Sequence, residues 1–263
     1  MQTATVSSLK FYDCNALIGR PAIPRFFPDP VSGEVLLREM DRIGVESAVV
    51  THVAAREYSP RVGNDLLVDA VSVEPRLTGC MTLLPDHTDE LWDTAAVLNE
   101  LKRRDARCVR LFPSESLHRY PLDHRVLGDL FEVLESARVP TLLDFDLGRR
   151  DEADWRALYD LADRYPLLPM IIIRPGGRSD RGLYPLLKRS PNVSVETGGY
   201  WVHRGIERIC ERFGAERLVY GSGFPYWTMS GAAFHVASAR VSASEKMAIA
   251  SGNLEALMSG VSL

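Results

Sequence analysis

Two hydrophobic periods alternate along the chain. Short β-rich runs, mostly apolar on consecutive positions, stand at Phe11–Asp13, Ser47–Thr51, Leu77–Leu83, Cys108–Phe112, Thr141–Asp144, Met170–Ile173, Val193–Glu196 and Leu218–Gly221. Consecutive apolar positions suit parallel strands covered on both faces. Between these runs apolar residues recur at three- and four-residue spacing, which predicts helices. Examples are Val35, Leu36, Met40 and Ile43; Leu91, Ala95, Leu98 and Leu101; Leu127, Leu130, Phe131 and Leu134; Leu158, Leu161, Ala162 and Tyr165; and Ile206, Ile209, Cys210 and Phe213. Eight strands, each followed by a helix, predict a single (β/α)8 TIM barrel over residues 1–263 with a closing C-terminal helix. A doubly wound open sheet is the other α/β solution. No Gly-x-Gly-x-x-Gly follows the first strand, so a dinucleotide fold gains no support and no cofactor is expected.

Composition narrows the partners. Among 263 residues, 31 Lys and Arg oppose 35 Asp and Glu for a formal charge of −4, and no basic run exceeds three residues, so no nucleic acid is expected as a partner. The longest apolar run, Leu167 to Ile173, is far short of the roughly 20 residues of a membrane helix. Met1 to Lys10 lacks the apolar core of a signal peptide. Cys14, Cys80, Cys108 and Cys210 form no Cys-x-x-Cys pair; Cys80 and Cys108 fall in predicted strands and Cys14 adjoins one, where buried reduced thiols are expected. These features predict a cytoplasmic protein with no membrane partner. The longest connection, Gly19 to Ser32, holds four prolines and follows the first strand, where it reads as a lid or a rim.

Barrel chemistry belongs to residues at the C-terminal ends of strands. Those places hold Asp13 and Asn15, Thr51 and His52, Arg110, Asp144 and Asp146, Arg174, and Glu196 with Thr197. The eighth strand runs into Gly221-Ser222-Gly223-Phe224-Pro225-Tyr226. Several ionisable groups therefore converge on one mouth.

These strand ends carry a resemblance over nearly the whole chain. Val109-Arg110-Leu111-Phe112-Pro113, Val139-Pro140-Thr141-Leu142-Leu143, Ile173-Arg174-Pro175-Gly176-Gly177, Tyr220-Gly221-Ser222-Gly223-Phe224-Pro225 and the last helix with Gly252-Asn253 and Leu257 occur in order. The set resembles the amidohydrolase-related hydrolases and decarboxylases, the group that includes aminocarboxymuconate semialdehyde decarboxylase and related lactonases. The resemblance implies a TIM barrel, often dimeric, so a homodimer is a possible assembly. It also implies a divalent metal held by His-x-His after strand one and by histidines after strands five and six, with a catalytic Asp after strand eight. This chain departs from that pattern, for the corresponding positions read Asn15, Leu17, Asp144, Arg174 and Gly223. Arg174 puts a permanent cation where a ligand would stand, so no metal is expected.

Each residue then has two readings. Asp144 and Arg174 are either an ion pair plugging the mouth, or a general base and an anion anchor. Arg110 either binds an anion or pairs with Glu196 or Asp146. His52 titrates near neutrality and is the candidate proton carrier, or it is a hydrogen-bonded structural residue. Glu196 is a second catalytic carboxyl or a buried charge partner. Asp13, Asn15 and Tyr226 are placed to hydrogen-bond a substrate. His118 and His124 flank the loop after strand four on the same side. Tyr200, Trp201, Tyr226 and Trp227 would wall a flat molecule or pack a rim. Ser222 lacks the spacing of a nucleophile elbow. The leading expectation is a metal-independent hydrolase or lyase acting on a small carboxylate-bearing molecule. A catalytically inactive barrel that binds a ligand or partner, and a metal-dependent hydrolase with a rebuilt ligand set, are the alternatives.

Overall fold

A computed structural model describes residues 9–22, 31–145, 153–176 and 178–263. The strands are β1 (Phe11–Ile18), β2 (Val45–His52), β3 (Leu77–Thr82), β4 (Cys108–Leu111), β5 (Thr141–Asp144), β6 (Met170–Ile173), β7 (Val193–Glu196) and β8 (Leu218–Val219). They pair in sequence order, each parallel to the next. The ring is completed by a parallel bridge between Ala16 and Phe224, beyond the end of β8. The Cys14 N–H donates to the Tyr220 carbonyl at 2.9 Å and the Leu17 N–H to that of Phe224 at 2.8 Å. The fold is the expected TIM barrel.

Helices α1 (Gly33–Ile43), α2 (Val53–Glu57), α3 (Pro60–Val71), α4 (Val97–Arg103), α5 (His124–Ser136), α6 (Trp155–Arg164), α7 (Asp180–Arg189), α8 (Gly205–Phe213), α9 (Met229–Ser238), α10 (Ala243–Met247) and α11 (Asn253–Ser259) fill the connections. Local signals set their ends. Ser32 Oγ accepts the Val35 N–H at the start of α1, and Gly44, at φ 86°, ends it with its N–H on the Met40 carbonyl. The buried Leu36 and Met40 face inward.

Because strand side chains alternate, each strand feeds two layers. Cys14, Val49, Cys80, Cys108, Leu142, Ile171, Ile173 and Val219 form an inner apolar cluster that Leu254 and Met258 of α11 join. The complementary positions pack outward against the helices. Two residues beyond Cys108, Leu142 and Ser194, on the same faces, come Arg110, Asp144 and Glu196. The inner layer thus changes from apolar to ionic toward the C-terminal ends of the strands.

The strand limits differ from expectation in two ways. β1 runs on to Ile18, through a register shift between Asp13 and Ala16, so Asn15 lies inside the strand rather than after it. β8 is cut to two residues. Asp146 and most of the Gly19–Ser32 connection lie outside the described residues. Among the described residues, no helix is long and apolar enough to cross a membrane.

Candidate functional site at the barrel mouth

Asp144, at the end of β5, is completely buried and joined to two guanidinium groups. Arg110 Nη2 from β4 donates to Oδ2 at 2.5 Å; Arg174 Nη2, beyond β6, reaches Oδ1 and Oδ2 at 3.3 and 3.2 Å. Burial alone would raise the Asp144 pKa, but the cations of Arg174, Arg110 and Arg56 outweigh it and hold the carboxyl well below the usual range. Asp144 therefore stays ionised and is a poor proton acceptor. Arg110 is itself buried, with Nη1 3.5 Å from Thr51 Oγ1 and its guanidinium 5.1 Å from the Phe112 ring centroid. The Arg174 side chain is the most accessible of the three, at 11% exposure.

Glu196, ending β7, lies in a cradle of backbone. Its Oε1 accepts the Gly198 N–H at 3.0 Å; its Oε2 accepts those of Arg174 at 3.0 Å and Gly199 at 3.3 Å. Gly199 makes the close approach possible, since a Cβ there would sit 2.4 Å from that of Arg174. Burial pushes the Glu196 carboxyl up to about 7, against the opposing pull of the Arg174 cation and the backbone donors. Glu196 is not ion-paired to the Arg110 guanidinium, whose carboxylate partner is Asp144.

On β1, Asp13 Oδ1 accepts the N–H groups of Asn15 at 2.8 Å and Ser222 at 2.9 Å, while Oδ2 accepts the Ser222 hydroxyl. Burial raises the Asp13 pKa, more than these bonds lower it. Asp13 thereby ties β1 to the segment after β8, and Ser222 Oγ is occupied on it. Asn15 is different. Its side chain is wholly buried, and neither amide atom has a hydrogen-bond partner among the described residues. Nδ2 lies 3.7 Å from where a Cβ of Gly223 would stand.

His52 is the last residue of β2 and caps α2, its Nδ1 accepting the Ala54 N–H at 3.1 Å. Burial lowers its pKa. The neutral ring then carries its proton on Nε2 and acts as a donor rather than a base. Tyr226 donates to Glu57 Oε1 at 3.0 Å and lies under Arg56, whose guanidinium is 5.2 Å from the ring centroid and 3.3 Å from the hydroxyl. Arg56 and Glu57 form an ion pair at 2.9 Å. His118 Nε2 lies 3.2 Å from the Arg56 carbonyl oxygen.

Arg56 is the mouth residue that reading strand ends misses, because it follows β2 by one helical turn. An arginine in an apolar Val-Ala-Ala segment was the available signal. The aromatic residues after β7 and β8 make separate contacts, Tyr226 with Arg56, and Tyr200 and Trp201 elsewhere. Tyr200 is buried, donating to Asp180 at 2.6 Å, while Trp201 stacks on His235 at 4.9 Å.

Eight parallel strands with an ionic layer at the C-terminal rim define a TIM barrel, a fold whose enzymes carry their chemistry at that rim. The sequence profile of the amidohydrolase family matches residues 20–257, and the chain belongs to that family. No curated protein matches it in sequence. Solved structures share the fold at low identity. The 5-carboxyvanillate decarboxylase of Novosphingobium aromaticivorans, solved with bound manganese, superimposes with a TM-score of 0.75 at 15% identity, covering 98% of this chain and 99% of that one. A 2,6-dihydroxybenzoate decarboxylase with 2,6-dihydroxybenzoate gives 0.70 at 16%, covering 95% and 99%. A probable 2-pyrone-4,6-dicarboxylic acid hydrolase of Acinetobacter baumannii, with citric acid bound, gives 0.68 at 16%, also covering 95% and 99%.

The manganese of such a neighbour sets a test for the residues present here. Among the described residues, no three His, Cys, Asp or Glu side chains converge as a metal ion requires. Asp144 is saturated by two guanidinium groups, and their charge opposes a dication at that place. The described residues of the mouth do not offer a ligand set that fits the metal.

Proposed function

We propose that the barrel mouth binds a small carboxylate-bearing molecule and acts on it by metal-independent acid–base chemistry, as a hydrolase or lyase. The observation that carries this reading is the cationic cluster on Asp144: Arg110 and Arg174 bonded to one buried carboxylate, with Arg56 close enough to act on it. An incoming carboxylate would share the Arg174 fork, which matches carboxylate geometry. Dihydroxybenzoate and citrate in the structural neighbours are ligands of the same chemical kind.

Two further features support turnover. The unpartnered Asn15 amide offers a donor and an acceptor to a neutral group of the substrate. Glu196 titrates close to neutrality, which suits a group that must both hold and release a proton. In a decarboxylation the carbon–carbon bond to the carboxylate breaks and carbon dioxide leaves. The electron pair stays on carbon and takes the Glu196 proton. Asp144, held ionised, serves to orient the two arginines, and His52 serves as a hydrogen-bond donor. Asp13 and Tyr226 brace the rim on which the substrate rests.

The test is calorimetric titration of small carboxylates, benzoate and citrate first, against the protein and R174A in the presence of a chelator. Binding that persists with chelator and weakens at least tenfold in R174A is expected. Binding that appears only after manganese or zinc is added would overturn the metal-free reading. A ligand-binding barrel without turnover is the second reading. The full pairing of Asp144 and the missing side chain at Gly223 favour it, and equal carboxylate affinity with no product formed would select it.

A further inference from the structure

The backbone at Arg174 is left-handed, at φ 47°. Two rules oppose this conformation. A side chain with a Cβ crowds its own carbonyl there, and a residue preceding proline, here Pro175, prefers extended backbone. A strained residue at a site persists only where its surroundings over-determine it. The surroundings are specific. Glu196 Oε2 accepts the Arg174 N–H at 3.0 Å and the Gly199 N–H at 3.3 Å, so one oxygen clamps both segments. The Gly199 backbone lies flat on Arg174, where an added Cβ would stand 2.4–2.5 Å from the Arg174 Cβ, Cα and Cγ. The other Glu196 oxygen is anchored on the Gly198 N–H at 3.0 Å. From this fixed point the Arg174 side chain runs to Asp144.

We infer that Glu196 is a positioning residue: its carboxyl oxygen holds the strained Arg174 backbone and thereby aims the guanidinium at the place where the substrate carboxylate binds. This rests on the carboxylate-binding reading of Arg174. The role needs an acceptor at Oε2, not a charge. It is thus separable from proton transfer, which needs an ionisable group. Among the described residues, the charged and titratable groups that act on or feel Glu196 include Arg174 beyond β6, Asp13 and Cys14 on β1, and Tyr220 after β8. None of them supplies the bond that the Arg174 N–H makes.

Glu196→Gln and Glu196→Met separate the roles. The glutamine keeps an amide oxygen that can accept the Arg174 N–H, while methionine fills a similar volume without one. Benzoate affinity by calorimetry should stay within threefold of the wild type in E196Q and fall at least tenfold in E196M. A crystal structure of E196M should show Arg174 out of the left-handed region. Equal losses in the two variants would assign Glu196 to charge rather than to holding the backbone, and no loss in either would remove the positioning role; either result overturns the inference. Should E196M fail to fold, Gly199→Ala asks the same question with Glu196 intact. Its methyl would displace Arg174 and lower benzoate affinity at least tenfold, and wild-type affinity in G199A would overturn the inference. R174A keeps the two claims apart. If R174A binds benzoate like the wild type, the carboxylate reading fails whatever the E196M structure shows.

Discussion

Removing the Asp144 carboxylate should be among the most damaging single changes in the barrel. The side chain has no solvent exposure, and its two partners, Arg110 and Arg174, have side chains 1% and 11% exposed. In Asp144→Ala the Arg110 guanidinium is left buried, keeping among the described residues a long contact to Thr51 at 3.5 Å and the face of the Phe112 ring, neither of which carries a charge. Breaking a buried pair by deleting one partner costs about 3–5 kcal/mol, because the remaining charge keeps its desolvation penalty. At about 2–4 °C per kcal/mol for a chain of this size, the melting temperature should fall by on the order of 10 °C. A second variant isolates the cause. In Asp144→Leu with Arg110→Met the stranded Arg110 charge is gone and Arg174, the more exposed partner, remains, so most of the loss should return. Differential scanning calorimetry at pH 7 measures both. The sign of the pH effect follows from the depressed carboxyl. Its stabilisation is present above the unfolded value of about 3.9 and is lost as pH falls below that. A D144A melting temperature within 2 °C of wild type, or a double variant no better than D144A, would refute the argument.

Glu196 has the opposite sign. Its folded value of about 7 exceeds the unfolded value of about 4.3, so stability should decrease by roughly 3 kcal/mol as pH rises from about 4 to 7 and then level off. Asp13, also raised, adds to the decline at its lower end, and urea unfolding of E196Q beside wild type at pH 5 and pH 7.5 separates the two. Asn15→Leu should raise stability by about 1–3 kcal/mol by removing an unpartnered buried amide, seen as a higher urea midpoint, and a lower midpoint would show the amide to be satisfied. His52→Ala deletes the cap of α2 and should cost about 0.5–2 kcal/mol in the same assay, and benzoate affinity should fall with it, since the Nε2–H donor is lost as well.

The barrel was legible because its signal is repeated. Apolar runs such as Met170–Ile173, alternating with spaced sets such as Leu158, Leu161 and Ala162, admit few packings, and strand ends then follow by counting. Convergence of Asp144 with Arg174 was readable for the same reason, since β5 and β6 are neighbours. Three features were not. The Arg110–Asp144 bond depends on which way two guanidinium groups turn, and the sequence offered Glu196 and Asp146 equally as partners of Arg110. The cradle of Glu196 is made of backbone N–H groups, which carry no residue identity. Arg56 reaches the mouth from a helix, so counting strand ends passes over it. His52 shows the reverse limit, because a strand-end histidine looks like a proton carrier until its Nδ1 is seen capping the next helix.

The seam between β1 and the chain beyond β8 has a consequence for how the barrel assembles. Ser222 and Asp13 are 209 residues apart in sequence, whereas neighbouring strands elsewhere close far shorter loops. The entropy of bringing two points together grows with the length between them. Here the longest loop is closed by a short strand, one bridge and a carboxylate. Closure should therefore come late in folding and be the first to reverse. Amide hydrogens of Cys14, Leu17 and Gly223 should exchange with deuterium sooner than that of Val109 in the opposite wall. Asp13, a candidate for chemistry, is then also the clasp that joins the two ends of the ring.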